Sequence, residues 1–454
     1  MKRKAMRRTA AAAVLALMAA GPAAAQTLAD SLIGAYRTSG LLEQNRALLR
    51  AADEDVAQAV AALRPVIDYL GTVRYQESDI AEDVTSNLSL EASLLLFDFG
   101  LSRLSIDFQK ETVLALREAL RSVEQNVLLR GVAAFLNVQR QIAFVDLAEN
   151  NVRVISEQLR AARDRFEVGE VTRTDVSIAE ARLASAQSSL AAERGALVQA
   201  RAEYLAVVGS EATSLSPAPP PPVLPATLEE ARVIALGRHP DLLEAQRNVT
   251  AAEIGIEVAR AGLRPELRAT ASVGIDDDGE DTSSIGLSLS GPIYRGGALV
   301  SAIRQSQARR DSSRGELYTV GQQIELDVTS TWADLAVAGA RVQASEQEVR
   351  AAALALEGAQ EELEVGSRTT LDVLDLEQDL LDARTDQVSN QIDRVLSVYT
   401  VLSSMGLLTV DYLQLGIPTY DPAAYYNAVK NAPTVYVSPQ GERLDRVLRR
   451  LNGG

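Results

Sequence analysis

Between Glu266 and Ser290, apolar and polar residues alternate one by one. Leu267, Ala269, Ala271, Val273 and Ile275 take one parity; Glu266, Arg268, Thr270, Ser272 and Gly274 take the other. After an acidic stretch, Ile285, Leu287 and Leu289 alternate with Ser284, Gly286, Ser288 and Ser290. A period of two belongs to a strand with one apolar face. The pattern also occurs earlier, where Leu88, Leu90, Ala92, Leu94 and Leu96 alternate with Asn87, Ser89, Glu91 and Ser93. A less regular series, Ile67, Tyr69, Val73 and Tyr75, precedes it. These patterns predict strands of about ten residues, two in a hairpin over 66–98 and two over 266–293. Acidic turns, Glu77 to Asp83 and Asp276 to Asp281, separate the strands. The second could be read as a calcium loop, but it lacks the spacing and terminal glutamate of an EF-hand. A solvated turn is the simpler reading.

Elsewhere the period lengthens. Val328, Leu335, Val342, Val349, Leu356 and Leu363 fall seven apart, as do Val138, Val145, Val152, Leu159 and Phe166. A heptad sustained this long, with alanine between, predicts coiled-coil packing of closely spaced helices. A helix from Ala298 to Glu364 would run roughly 100 Å at ~1.5 Å per residue. Turns at Gly169 and Gly366 send the chain back, and Leu374, Leu381, Val388, Val395 and Leu402 carry the pattern along the returning helix. Shorter helices are expected from Leu28 to Leu63 and from Leu228 to Leu263. Each ends at Arg-Pro, because the residue before proline is pushed out of the helical region.

These elements occur twice. Leu63-Arg64-Pro65 returns as Leu263-Arg264-Pro265, Phe166-Glu167-Val168-Gly169 as Leu363-Glu364-Val365-Gly366, and Thr174-Asp175-Val176 as Leu371-Asp372-Val373. The first repeat is assigned to 26–216 and the second to 227–408. Residues 217–226 form a proline-rich linker of extended polyproline character. Residues 409–454 are a tail bearing Tyr412, Tyr420, Tyr425, Tyr426 and Tyr436.

Residues 1–25 read as a secretory signal peptide. Lys2, Arg3, Lys4, Arg7 and Arg8 precede an apolar run that is too short to span a bilayer, and Ala23-Ala24-Ala25 is a small-residue cleavage site before Gln26. No cysteine follows it, so no lipoprotein anchor is expected there. With no cysteine and one histidine in 454 residues, thiolate and multi-histidine metal sites are excluded, and neither metal nor cofactor is expected. A net charge of −16 argues against nucleic acid as a partner. His239 has no partnered nucleophile motif, so the chain does not read as an enzyme.

Amphipathic ten-residue strands suit a barrel across a bilayer, yet four strands cannot close one, since membrane barrels need about eight or more. Strands and helices must then be pooled among copies. The expected fold is mainly α: a long coiled-coil helical tunnel with four transmembrane strands per chain in a shared barrel. A periplasmic coiled-coil adaptor or scaffold is the rival reading. It explains the heptads but not the paired strands.

The repeated halves, His239-Pro240-Asp241-Leu242, the Arg-Pro before each hairpin, and the run from Glu364 to Asp375 resemble the TolC family of outer-membrane efflux and secretion channels. The resemblance covers about residues 28 to 408. It implies a homotrimer with a 12-stranded barrel in outer-membrane lipid, a helical periplasmic tunnel and a gate at the helical tips. It also implies a periplasmic adaptor (membrane fusion) protein and an inner-membrane pump of RND or ABC type. The tail would pack around the tunnel waist. Asp372 and Asp375 would form acidic rings at the periplasmic entrance, while Arg368, Thr174, Asp175 and Leu363 would join the tip contacts. Leu363 stands where the family often has an aromatic, so its contact is expected to be apolar packing. Ser39-Gly40 stands where the second half has His239-Pro240. From chemistry alone, Asp372 and Asp375 share a helix face three residues apart. They could line a cation-attracting ring, or they could be helix-start acids that meet the helix dipole.

Overall fold

The computed structural model describes residues 25–77, 82–276, 278–434 and Arg446. The signal peptide up to Ala24, the middle of the first acidic turn, Asp277 and Tyr436 lie outside these residues. The helices are α1 (Leu28–Thr38), α2 (Gly40–Ala61), α3 (Leu101–Glu167), α4 (Arg173–Val208), α5 (Leu228–Arg238), α6 (Pro240–Ala261), α7 (Ala298–Glu364), α8 (Thr370–Ser404) and α9 (Pro422–Val429). The strands are β1 (Val66–Glu77), β2 (Glu82–Phe97), β3 (Glu266–Asp276) and β4 (Asp281–Ser290). They make one antiparallel sheet in the order β1-β2-β3-β4.

The register brings the two alternating patterns together. Ile67 lies opposite Ala92, Ala92 opposite Ala271, and Ala271 opposite Ile285, so one face is apolar across all four strands. Asp68, Glu91, Ser272 and Ser284 line up on the other face. The apolar face is uncovered: Ile285 is 92% exposed and Tyr69 83%. The outer edges of β1 and β4 have no strand beside them in this sheet. β2 runs longer than the sequence pattern predicts, because its last residues pair only with β3, where the register shifts between Leu95 and Phe97. Phe97 and Phe99 stack edge to face at 4.6 Å where the chain leaves the strand. Asp98 accepts from the backbone of Gly100 and Ser102 and starts α3.

The chain forms two compact units, and each draws on both sequence repeats. One holds the described residues up to Ser39, Gln125–Ala231 and Val328–Ile417; the other holds Gly40–Glu124, Arg232–Asp327 and the described residues from Pro418. In the first unit, α1 packs on α4. Ser31 Oγ and the Tyr204 hydroxyl, both buried, are 2.7 Å apart, and Tyr204 also donates to Gln26. Gln26 pairs with Leu215 through the backbone, fixing the start of the chain beside the proline-rich segment. The second unit contains the sheet, α2, α6, α9, α5 from Arg232 on, and the first parts of α3 and α7.

Heptad positions Val138, Leu159, Val328, Val342 and Leu356 are buried, as are Leu374 and Leu402 on the returning helix. Three expectations need correction. The helix expected from Leu28 to Leu63 is broken at Ser39, whose extended ψ of 108° ends α1 before Gly40 starts α2. The second-half helix breaks at His239, where Pro240 forces the same change and the imidazole Nδ1 accepts from the Asp241 amide. Phe166, expected in the seam, is 45% exposed, because the seam ends one turn before the reversal.

The α1–α4 contact depends on a missing side chain. A Cβ on Gly34 would lie 2.7 Å from the backbone oxygen of Val208. Gly34→Ala should therefore destabilise this helix pair by about 1–3 kcal/mol, the usual scale for overpacking. A lowered denaturation midpoint with faster amide exchange in α1 is the expected result; an unchanged midpoint would mean the helices separate freely.

Candidate functional site

The two chain reversals are built alike. In each, a long helix ends on a left-handed glycine, Gly169 at φ 82° and Gly366 at φ 77°. The Gly169 amide donates to Phe166 O and the next amide to Arg165 O; Gly366 and Ser367 do the same to Leu363 O and Glu362 O. This is the Schellman ending, which satisfies the last helical carbonyls. Three residues after each glycine a threonine caps the returning helix. The Thr172 hydroxyl accepts from the Asp175 amide, and the Asp175 carboxylate accepts from the Thr172 amide and hydroxyl, at 2.8 and 2.7 Å. Thr369 and Asp372 repeat this reciprocal box at 3.1 and 2.8 Å.

These bonds favour the ionised form of the acids. The Thr172 hydroxyl holds the Asp175 carboxyl below the usual carboxylate range, and the Thr369 hydroxyl does the same for Asp372. Both remain anionic at neutral pH and keep their charge to lower pH than an uncapped aspartate. Capping and carrying charge are compatible roles for one carboxylate.

The other sequence-derived residues divide. Asp375 forms an ion pair with Arg182, which ties α8 to α4. Arg368 Nε donates to Glu362 Oε2 at 2.6 Å, within its own turn. Leu363 packs against the cluster of Leu356, Ala359, Val373 and Leu380, as expected of an apolar contact. Leu374 joins Ile155, Leu159 and Ala179 in a neighbouring cluster. Thr174 is exposed at the second position of α4. The structure thus brings Asp372, Arg368 and Leu363 to one reversal, Thr174 and Asp175 to the other, and links the two through Asp375 and Arg182. Beyond the pair, Arg163 bridges to Glu180 at 2.6 Å, and Gln360 donates to Glu377 at 3.2 Å. Burial pushes the Glu377 carboxyl up.

Thr172, Thr369, Arg182 and Glu362 were not singled out from sequence. The two caps carry a legible signal, Thr-x-x-Asp ahead of an apolar series. Arg182 carries none, because its partner lies 193 residues away. Among the described residues, no cluster of His, Cys, Asp and Glu could hold a metal ion, and no helix is long and apolar enough to cross a membrane.

The outer membrane efflux protein family matches residues 35–210 and again 232–407. The chain belongs to that family. The outer membrane efflux protein BepC of Brucella suis is 36% identical over 439 residues, covering 94% of this chain and 96% of BepC. The outer membrane protein TolC of Escherichia coli is 24% identical, covering 84% and 83% of the two chains. The alkaline protease secretion protein AprF of Pseudomonas aeruginosa is 28% identical, over 69% and 67%. Among solved structures, CusC superposes with a TM-score of 0.74 at 20% identity, over 83% of this chain and 91% of CusC. The outer membrane protein VceC of Vibrio cholerae gives 0.71 at 21% identity, over 84% and 96%. The fold is thus that of the TolC-like channels, mainly helical with a small antiparallel sheet. Each match to this outer membrane efflux protein family includes one reversal with its glycine, threonine cap and aspartate. The family match across both repeats also removes the reading as a periplasmic scaffold.

The two aspartates of α8 should respond differently to removal. Asp372→Ala takes away the cap and should speed amide exchange from Thr369 to Val373; Asp375→Ala should leave that segment protected and free Arg182. The cap also has a pH signature. Because the folded pKa of Asp372 is depressed, its contribution is present above about 3.8 and is lost as pH falls through the folded value. Equal exchange in both variants would show that the box does not hold the helix start.

Proposed function

We propose that the chain is the outer-membrane exit duct of a tripartite efflux or type I secretion system and works as a homotrimer. The observation that carries the reading is the sheet, with its exposed apolar face and two free edges, in a member of the outer membrane efflux protein family. Three copies joined edge to edge would close twelve strands around the polar face, leaving the apolar face to lipid. The heptad helices of three copies would enclose the periplasmic tunnel. In this reading 26–216 and 227–408 are the two structural repeats, 217–226 links them, and 409–454 wraps the waist. The partners are a periplasmic adaptor of the membrane-fusion type and an inner-membrane pump of RND or ABC type. The names of its relatives divide between efflux and protease secretion, so the exit-duct role covers small molecules and proteins.

At the entrance, Asp372 and Asp375 would supply six carboxylates by threefold symmetry. The capped Asp372 stays ionised and would carry the field even when Arg182 neutralises Asp375. Arg368, Thr174, Asp175 and Leu363 would complete the tip contacts around the turns at Gly169 and Gly366. Such rings favour cations and bind multivalent ones.

Planar-bilayer recording of detergent-purified trimer tests this. The wild type should prefer cations and be blocked by a trivalent cation from the tunnel side, and Asp372→Ala with Asp375→Ala should weaken both effects. A mass equal to one chain or two would overturn the assembly, while a trimer with unchanged block would overturn only the ring.

The sheet assignment has its own test. Leu287→Arg sets a charge toward lipid, which costs about 2–4 kcal/mol near the bilayer midplane, whereas Ser288→Arg points into the lumen and should cost less. Equal trimer yields from the two variants would contradict the assigned faces.

A further inference from the structure

The C-terminal segment is clamped to α2 and α3 by a set of tyrosine and arginine contacts. The Tyr425 hydroxyl donates to Glu54 Oε1 at 2.7 Å. The Arg46 guanidinium lies over the Tyr420 ring and the Arg117 guanidinium over the Tyr426 ring, each 5.4 Å from the centroid. Arg64, just beyond α2, donates to the carbonyls of Asn431 and Ala432. Every one of these contacts lies within the same compact unit.

Asp53 lies among these contacts on the buried face of α2. It is 0% exposed, and neither carboxylate oxygen has a hydrogen-bond partner. An ionised carboxylate placed this way loses its hydration without replacement, which is among the costlier arrangements in a protein interior. The charged groups facing it are mixed. From α3, Arg117 favours the anion; on α2 itself, the adjacent Glu54 opposes it. Arg46, Arg50 and Glu43 of α2 share with Asp53 the surroundings of the Tyr420 hydroxyl. Burial outweighs the attraction of Arg117, and the carboxyl is pushed up to about 7; the Tyr420 hydroxyl, also desolvated, is pushed up to about 12.

We propose that Asp53 is a buried proton site that sets how firmly the C-terminal segment is held, tight while the carboxyl is protonated and looser once it ionises. When the segment lifts, Asp53 meets water and titrates near its ordinary value of 3.8. Between that value and about 7, closing the segment takes up a proton. Closure therefore weakens as pH rises through this window, approaching about tenfold per pH unit, and levels off above it. Neither Arg182 nor any residue of the chain reversals takes part, so the clamp and the entrance are separate devices.

Hydrogen–deuterium exchange of peptides from 418–434, measured on the full-length assembled protein and corrected for the intrinsic pH dependence of exchange, reads the clamp directly. In the wild type, protection should fall as pH rises toward about 7 and then stay level. In Asp53→Asn, which is neutral at every pH and nearly the same shape, the slope should vanish. If the Asn variant fails to assemble, Asp53→Ser, neutral and smaller, serves the same purpose. A flat wild-type profile overturns the proposal, and so does a slope that survives in either neutral variant.

Discussion

A border strand carries a row of backbone N–H and C=O groups with no partner, and this chain has two such borders, β1 and β4. In water that row would be solvated. In hydrocarbon each unpaired group costs several kcal/mol, so an open four-stranded sheet is not a permissible membrane structure. In the proposed setting the uncovered face of Ile285, Leu287 and Tyr69 would meet lipid, while the borders would forbid a single chain from staying there. Association is the way to meet both demands. Were copies joined through the sheet, as proposed above, their long helices would find neighbours for the residues the heptads leave exposed.

The chain reversals solve a smaller version of the same problem. A helix that ends in an aqueous space leaves carbonyls unsatisfied, and the one that starts leaves amides unsatisfied. Gly169 and Gly366 close the first set; Thr172 and Thr369, with their aspartates, close the second. The solution needs a hydrogen-bond acceptor at the third position of each returning helix, and here a carboxylate supplies it. The same carboxylates that cap the helices thus place negative charge at each turn.

Much of this was legible in the sequence because it is local and periodic. Alternation gave the strands and their faces, the heptads gave the long helices, and the repeated Val-Gly marked the reversals. Both helix breaks were missed: serine before glycine at Ser39 carries no obligate backbone restriction, and the restriction that Pro240 places on His239 was not carried into the helix bounds. Phe166 was assigned to the seam because periodicity does not announce where packing stops. Asp375 could be placed on a helix face, yet its pairing with Arg182 depends on how distant segments meet. Asp53 was not singled out at all: an aspartate on a helix reads as solvent-facing until the elements packed around it are placed.

The pairing of β2 with β3 joins the two halves of the chain, for Ala92 lies opposite Ala271, with α3, α4, α5 and α6 made in between. Such a contact closes a very long loop before it gains anything, which makes it a slow step in folding. Until β3 is made, the first hairpin has both its borders open and its apolar face bare. The order of synthesis therefore sets a window in which the half-made chain is most prone to pair with the wrong strand. The length of that window is governed by the helices, not by the strands themselves.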